Sequence, residues 1–219
     1  MLEARVSPIT SVLTDDPKTI LRATGILSRL WRLTLGELKL DYVKWINNAD
    51  DYVSRCKREY KDVDLSNTKG NLGKALARDE VTWDVFCKGL SLLKLKNPRL
   101  SLLLKHGDVE KTITIDVPFT CNEDRGILLS KAWKKVKKEF PDKAEDWDRL
   151  IGEYGKKQKQ LGMNLADSLK SNLTNTLKTR SIMWTVFVKG IEVLSFDYIE
   201  IKLTFDMTKG SKEITLRPK

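Results

Sequence analysis

Apolar residues recur along this chain with two spacings, one typical of helices and one typical of strands. Spacings of three and four predict a first helix around 26–31 and again around 127–136. A second helix is predicted around 45–46 and again from Pro141 to Gly155, where Asp142 and Glu145 resemble a capping pair. A third helix is predicted over about 79–93 and again over about 180–194. Three helices in the same order are therefore predicted twice.

Behind each third helix the spacing falls to two, which predicts a β-hairpin. A turn at Gly107 or Gly210 separates the two strands of each hairpin. The apolar positions are Leu100, Leu102, Leu104, Ile113 and Ile115 in the first hairpin and Ile201, Leu203, Phe205, Ile214 and Leu216 in the second. Because an isolated hairpin is marginal in water, we expect the two hairpins to share one antiparallel sheet or each to lie on its own helices.

The chain also matches itself at an offset near one hundred residues. All six tryptophans pair in this register, Trp31 with Trp133, Trp45 with Trp147, and Trp83 with Trp184. The longest matching block sets residues 83–90 on residues 184–191. We therefore predict an α+β fold in which a module of helices plus a β-hairpin is duplicated, with a pseudo-twofold arrangement and antiparallel hairpins packed on helices.

This repeat divides the chain into an N-terminal arm of residues 1–20, a first module of 21–119 and a second module of 122–219. Polar stretches at 47–70 and 156–171 are predicted to connect the second and third helices. The core of the repeat is expected to contain its bulkiest aromatic residues, which are Trp31, Trp45, Trp83, Phe86, Trp133, Trp147, Trp184 and Phe187.

Composition narrows the class of protein. The 219 residues carry a formal net charge of +10, which makes a polyanion or an acidic protein face a plausible partner. The first twenty residues have neither signal-peptide nor membrane-span character, so we expect a chain that is not secreted and has no membrane partner. Three scattered cysteines, Cys56, Cys87 and Cys121, fit reduced thiols better than a disulfide framework or a zinc site.

Few residues suit catalysis. His106 is the only histidine and falls in a predicted turn, so a catalytic triad is close to excluded. The acidic pairs 15–16, 50–51 and 123–124 lack metal-ligand spacing. Residues 70–75, Gly-Asn-Leu-Gly-Lys-Ala, superficially suggest a phosphate loop, but the glycines are too close and no Ser or Thr follows the lysine. We expect no enzyme activity, no metal and no cofactor.

Lysines form the remaining candidate site. They crowd the first helix of the second module and the end of its second helix, and these positions are Lys131, Lys134, Lys135, Lys137, Lys138, Lys156, Lys157 and Lys159. The set fits either a polyanion-binding stripe or the solvated face of an amphipathic helix diluted by nearby acids. The aromatic residues fall on apolar stripes, so they are expected in the core and not free to stack on bases.

Residues 70–76 and 82–90 together resemble a group of short proteins of tailed bacteriophages that share the pattern Gly-Asn-Leu-x-Lys-x-Leu followed by Thr-Trp-x-x-Phe-x-Lys-Gly. The resemblance covers most of both modules and brings no assigned activity. The second module departs from the pattern, with Met183 in place of the threonine and Ser171 in place of the glycine. A site built on those residues would therefore be present once.

The resemblance implies a phage origin and relatives with a single module that self-associate. From it we expect a non-enzymatic structural or assembly protein of a phage particle, such as a tail, baseplate or neck adaptor. Its partners would be other phage structural proteins or a second copy. The alternative is a basic intracellular phage protein that binds DNA, RNA or a host nucleic-acid enzyme. The corresponding locations are the virion and the host cytoplasm during infection.

Overall fold

The computed structural model describes residues 23–39, 48, 50–51, 54–58, 68–77, 81–93, 95–117, 125–160, 169–207 and 210–217. In these residues the chain is an α+β protein, with helices packed on a four-stranded antiparallel sheet. The predicted arm of residues 1–20, and Trp45, lie outside the described residues.

The described elements follow one another in two similar series. In the first, α1 (Ala23–Leu38), α2 (Thr68–Leu76) and α3 (Trp83–Leu92) precede β1 (Lys96–His106) and β2 (Val109–Asp116). In the second, α4 (Gly126–Glu139), α5 (Pro141–Glu145), α6 (Trp147–Gln160), α7 (Leu169–Leu177) and α8 (Trp184–Leu194) precede β3 (Tyr198–Met207) and β4 (Gly210–Leu216). Residues 54–58 are also helical.

The two hairpins share one sheet, with the strand order β2-β1-β3-β4. The pairs Leu100↔Ile115 and Ile201↔Leu216 show that the second hairpin repeats the register of the first, both partners being shifted by 101 positions, from 100 to 201 and from 115 to 216. The central strands are antiparallel and place Ser101 opposite Lys202, which are again 101 positions apart. The sheet is therefore nearly symmetric about that pair.

The apolar positions of all four strands face the helices, as their spacing predicts. The apolar stripes of α3 and α8 lie in the same core, where Trp83 is 4% and Trp184 is 2% exposed. The other face of the sheet is polar. Helix α1 packs on β4 and helix α4 packs on β2, so each of these helices covers the edge strand of the other series. The hydrophobic core is thus continuous across both halves of the chain.

Several predicted boundaries are wrong. The third helices begin at Trp83 and Trp184, four residues later than predicted, because the residues before them, Thr82 and Met183, adopt an extended N-cap conformation. Thr82 also accepts a hydrogen bond from the Val85 amide. The predicted second helix of the second module is split into α5 and α6 at Asp146, and Gly155 lies inside α6. The predicted connections are shorter than expected, since α2, α6 and α7 extend into them.

The cysteine prediction is also wrong in part. Cys56 is buried and disulfide-bonded, whereas Cys87 is buried and not part of a disulfide. Cys121 lies outside the described residues. The spacing of the three cysteines in the sequence did not reveal this bond, because the pairing of cysteines depends on the fold and not on a local motif.

Candidate polyanion-binding surface

All eight lysines of the predicted basic stripe are exposed. Helix α4 carries five of them, and four of these five, Lys131, Lys134, Lys135 and Lys138, recur at spacings of three and four, so they form one line along the helix. We call these four residues the α4 lysine face. The buried residues Leu129, Ala132, Trp133 and Val136 occupy the opposite side of the helix. The amphipathic pattern of α4 therefore directs four ammonium groups into solvent on one side.

The lysines of this surface have no acidic partner among the described residues, whereas most basic residues on the strands have one; Lys96 and Lys105 on β1 are the exceptions. In the part of the chain that the structure describes, none of the eight forms an ion pair. Lys202, by contrast, lies 3.2 Å from Glu200 and 3.0 Å from Glu213, and Lys212 lies 3.1 Å from Glu37. Positive charge on the sheet is largely neutralised within the protein, and positive charge on α4 is not.

Nearby acidic residues neutralise the α4 lysines less than the sequence suggests, because two of them bind other basic residues. The Glu139 carboxylate at the end of α4 lies 3.6 Å from Lys111 on β2, and Asp146 binds Arg149. Lys137 and Lys138 lie in the last turn of α4, where positive charge also stabilises the helix dipole.

Helix α4 is held firmly under this surface. The ring of Trp133 packs edge-on against Trp147 and against Phe187, with centroids 5.6 Å and 6.4 Å away. The Ser130 hydroxyl donates to the Thr179 carbonyl at 3.0 Å. Arg125, just before the helix, donates to Asp84 at 2.7 Å. Contacts at its N-terminal end and on its buried side therefore hold α4 in place beneath the lysine line.

Six of the eight predicted core aromatics are at least 96% buried, and these are Trp31, Trp83, Phe86, Trp133, Trp184 and Phe187. Trp147 is half-buried and its indole N–H donates to the Thr174 hydroxyl at 3.0 Å. Trp45 is outside the described residues. The tryptophans that the structure describes are thus engaged inside the protein.

Residues 70–75, which superficially suggested a phosphate loop, fall inside α2. Their backbone amides belong to a helix and do not form a loop that could cradle a phosphate.

His106 lies at the end of β1, half-exposed, with Nδ1 3.2 Å from the Asp197 carboxylate. The Gly107 amide donates to the same carboxylate at 2.7 Å and keeps the pKa of Asp197 below its usual range, with a smaller contribution from His106. The Asp197 amide donates in turn to the Lys105 carbonyl. These bonds tie the segment before β3 to the β1–β2 turn, which is a structural role.

The polar face of the sheet holds one well-shielded carboxylate. Glu200 accepts hydrogen bonds from Arg217 at 2.7 Å and Tyr198 at 2.8 Å, and it also lies near Lys202. These partners, Arg217 foremost, lower the pKa of Glu200 to about 2. The Glu200 carboxylate therefore carries no proton near neutral pH and cannot act there as a general acid. Among the described residues, no group of three or more His, Cys, Asp or Glu side chains could hold a metal ion.

One acidic side chain between α6 and α8 titrates near neutrality. Glu192 accepts a hydrogen bond from the Tyr154 hydroxyl at 3.0 Å, and burial raises the pKa of Glu192 to about 7. Burial likewise raises the pKa of Tyr154. Sequence reasoning missed this pair, because nothing in the local pattern distinguishes Glu192 from a surface glutamate.

We expect Glu192 to make stability depend on pH. Because its folded pKa lies above its usual 4.5, the stabilisation it provides is complete below about pH 4.5 and is lost as pH rises through about 7. Relative to Glu192→Gln, the wild-type free energy of unfolding should fall by about 2–4 kcal/mol between pH 4.5 and pH 8, since one pKa unit corresponds to about 1.4 kcal/mol. Urea unfolding of both proteins at several pH values measures this, with Glu145→Gln as an exposed control. Parallel pH profiles of wild type and Glu192→Gln would contradict it.

Comparisons with protein-family models, curated proteins and solved structures gave no match to this chain. Among the described residues, no helix combines the length and the apolar character needed to cross a membrane.

Proposed function

We propose that this is a non-enzymatic protein that binds nucleic acid through the α4 lysine face. The observation that carries the proposal is the contrast in pairing. Most basic residues on the strands pair with carboxylates, whereas the α4 lysines are all exposed, four of them are aligned, and none has an acidic partner in the described chain. Aligned and unneutralised ammonium groups attract a polyanion and release its counterions on binding.

The proposal is tested by replacing all four residues of the α4 lysine face with glutamine. We expect binding of a fluorescent nucleic acid at about 50 mM salt to weaken at least tenfold, because each lysine lost removes about one phosphate contact. A matched control replaces Lys74, Lys96, Lys105 and Lys178, which are exposed and lie on other elements, and loses the same charge. Anisotropy titration measures both. Equal weakening in the two variants would show that net charge, and not α4, determines binding.

We also propose that the chain is an internal duplication with a pseudo-twofold arrangement, as its sequence predicts. The identical hairpin registers support this. The packing of α1 on β4 and of α4 on β2 also supports it, because each helix covers the edge strand of the other series. A further support is a repeated contact. Gly89 faces Trp31 and Leu76, and Gly190 faces the residues at the matching positions, Trp133 and Leu177.

On this proposal the two copies have diverged at the candidate site. Counting from the paired tryptophans Trp31 and Trp133, the four positions of the α4 lysine face correspond in α1 to Arg29, Arg32, Leu33 and Gly36. Two basic residues are kept there and two are replaced by an exposed leucine and a glycine. A single copy therefore carries the full line of charge.

The same divergence favours a second candidate function, that of an assembly adaptor in a tailed-phage particle. Two related helices that present different surfaces, one with exposed Leu33 and one with four lysines, suit contacts with two different neighbours. The phage origin rests on the motif at residues 70–90. Mass spectrometry of purified particles from the source phage tests this candidate, and absence of the protein from the particles would reject it.

A further inference from the structure

We propose that the ligand of the α4 surface is a nucleic-acid duplex, held through its backbone phosphates without readout of base sequence. This inference rests on the proposed function and specifies its ligand. It follows from the kinds of side chain on the surface, from the engagement of the aromatic residues, and from the density of charge along α4.

The side chains of α4 suit phosphates and not base edges. Sequence-specific contacts in a groove are typically made by arginine, asparagine or glutamine, whose planar groups form paired hydrogen bonds with a base. The exposed positions of α4 are all lysine. Lysine offers a compact charge on a flexible stem, which neutralises a phosphate but distinguishes bases poorly.

The aromatic residues argue against a single-stranded ligand. Proteins that bind single strands usually stack bases on exposed aromatic rings, and each stacked base contributes about 1–3 kcal/mol. The aromatic residue of α4, Trp133, is 3% exposed and packs against Trp147 and Phe187. Tyr198 is exposed but lies on the polar face of the sheet, opposite the helices, and donates its hydroxyl proton to Glu200. The lysine surface therefore has no stacking platform among the described residues.

The line of lysines also matches the charge density of a duplex better than that of a single strand. From Lys131 to Lys138 the helix rises about 10 Å, at about 1.5 Å per residue. Over that length a duplex presents about six phosphate charges and a single strand about three, so four aligned lysines are fully used only by the duplex. A rigid helix also cannot follow a flexible strand, which would lose conformational entropy on binding.

The test is an anisotropy titration of the full chain with a labelled 20-base-pair duplex, a second duplex of unrelated sequence, and one isolated strand of the first. At about 100 mM salt we expect the duplex to bind about tenfold more tightly than the strand, since the strand gains no stacking. The two duplexes should agree within about twofold, because phosphate contacts carry no sequence information. The variant Lys131→Gln/Lys134→Gln should reduce the slope of log K against log salt by about two.

This inference would be overturned if the single strand bound as tightly as the duplex or more tightly. A difference above about tenfold between the two duplexes would overturn it too, and either result would leave the proposed function intact. Failure of all three nucleic acids to bind would reject the proposed function itself. An unchanged thermal unfolding midpoint for the double variant shows that a changed slope reports lost phosphate contacts and not lost folding.

Discussion

Replacing Trp83 or Trp184 by alanine is expected to lower the free energy of unfolding by about 3–5 kcal/mol. Both side chains are buried, and their rings stack on each other with centroids 5.6 Å apart and planes inclined by 15°. Trp83 also donates its indole N–H to the Arg125 carbonyl at 3.0 Å, next to the start of α4. Each substitution therefore opens a cavity where the two halves of the chain meet, and Trp83→Ala additionally removes the buried hydrogen bond to the Arg125 carbonyl. Urea unfolding measures both losses.

The stacked pair should also behave as a coupled unit. Once one ring is removed, the other has already lost its partner, so the double variant should lose about 0.5–1.5 kcal/mol less than the sum of the single losses. Trp147→Ala serves as a comparison, because this ring is half-buried and should cost less. Additive losses at Trp83 and Trp184 would contradict the stacking.

Replacing Gly89 or Gly190 by alanine is expected to lower the free energy of unfolding by about 1–3 kcal/mol. A Cβ atom at Gly89 would lie 2.8 Å from Cζ3 of Trp31, and one at Gly190 would lie 2.9 Å from Cζ3 of Trp133. Each indole is packed in the core and cannot swing away cheaply. The steric cost should therefore exceed the gain of about 1 kcal/mol that alanine normally brings to a helix interior. Thermal or urea unfolding gives the net change.

Glycines elsewhere in the helices provide controls of opposite sign. A Cβ at Gly36 in α1 or at Gly155 in α6 would meet nothing within 4 Å. Alanine at either position should stabilise the protein by up to about 1 kcal/mol, because only the helix preference changes. If Gly89→Ala and Gly190→Ala were also stabilising, the close approach of helix and tryptophan would be refuted at both places.

Much of the fold could be predicted from periodicity. The spacing of Leu100, Leu102 and Leu104 correctly assigned which side of β1 is buried, and the stripe beginning at Trp83 correctly assigned the buried side of α3. Both depend on short-range geometry, since the side-chain direction repeats every two residues in a strand and about every 3.6 in a helix. The turn at Gly107 was also predictable, because a glycine between two runs of alternating apolar residues favours a hairpin turn, and Gly107 adopts positive φ. Gly210, predicted in the second turn, instead begins β4 and pairs with Met207.

Features that depend on contacts between residues far apart in the sequence could not be predicted. The sharing of one sheet was left open, because either arrangement of the hairpins buries the same apolar positions. The packing of α1 on β4 places residues from opposite ends of the chain together, as in the ion pair of Glu37 with Lys212. The line of lysines on α4 was visible in the sequence, but the distinction between paired and unpaired basic residues required the fold.

The central claim is that the α4 lysine face contacts nucleic acid, and lysine footprinting tests it most directly. The protein is acetylated with and without a saturating duplex, and the modification of each lysine is quantified by mass spectrometry. We expect the duplex to protect Lys131, Lys134, Lys135 and Lys138 from acetylation. The reactivity of Lys74, Lys96, Lys105 and Lys178 should be unchanged. Protection spread evenly over both groups, or concentrated in the second, would contradict it.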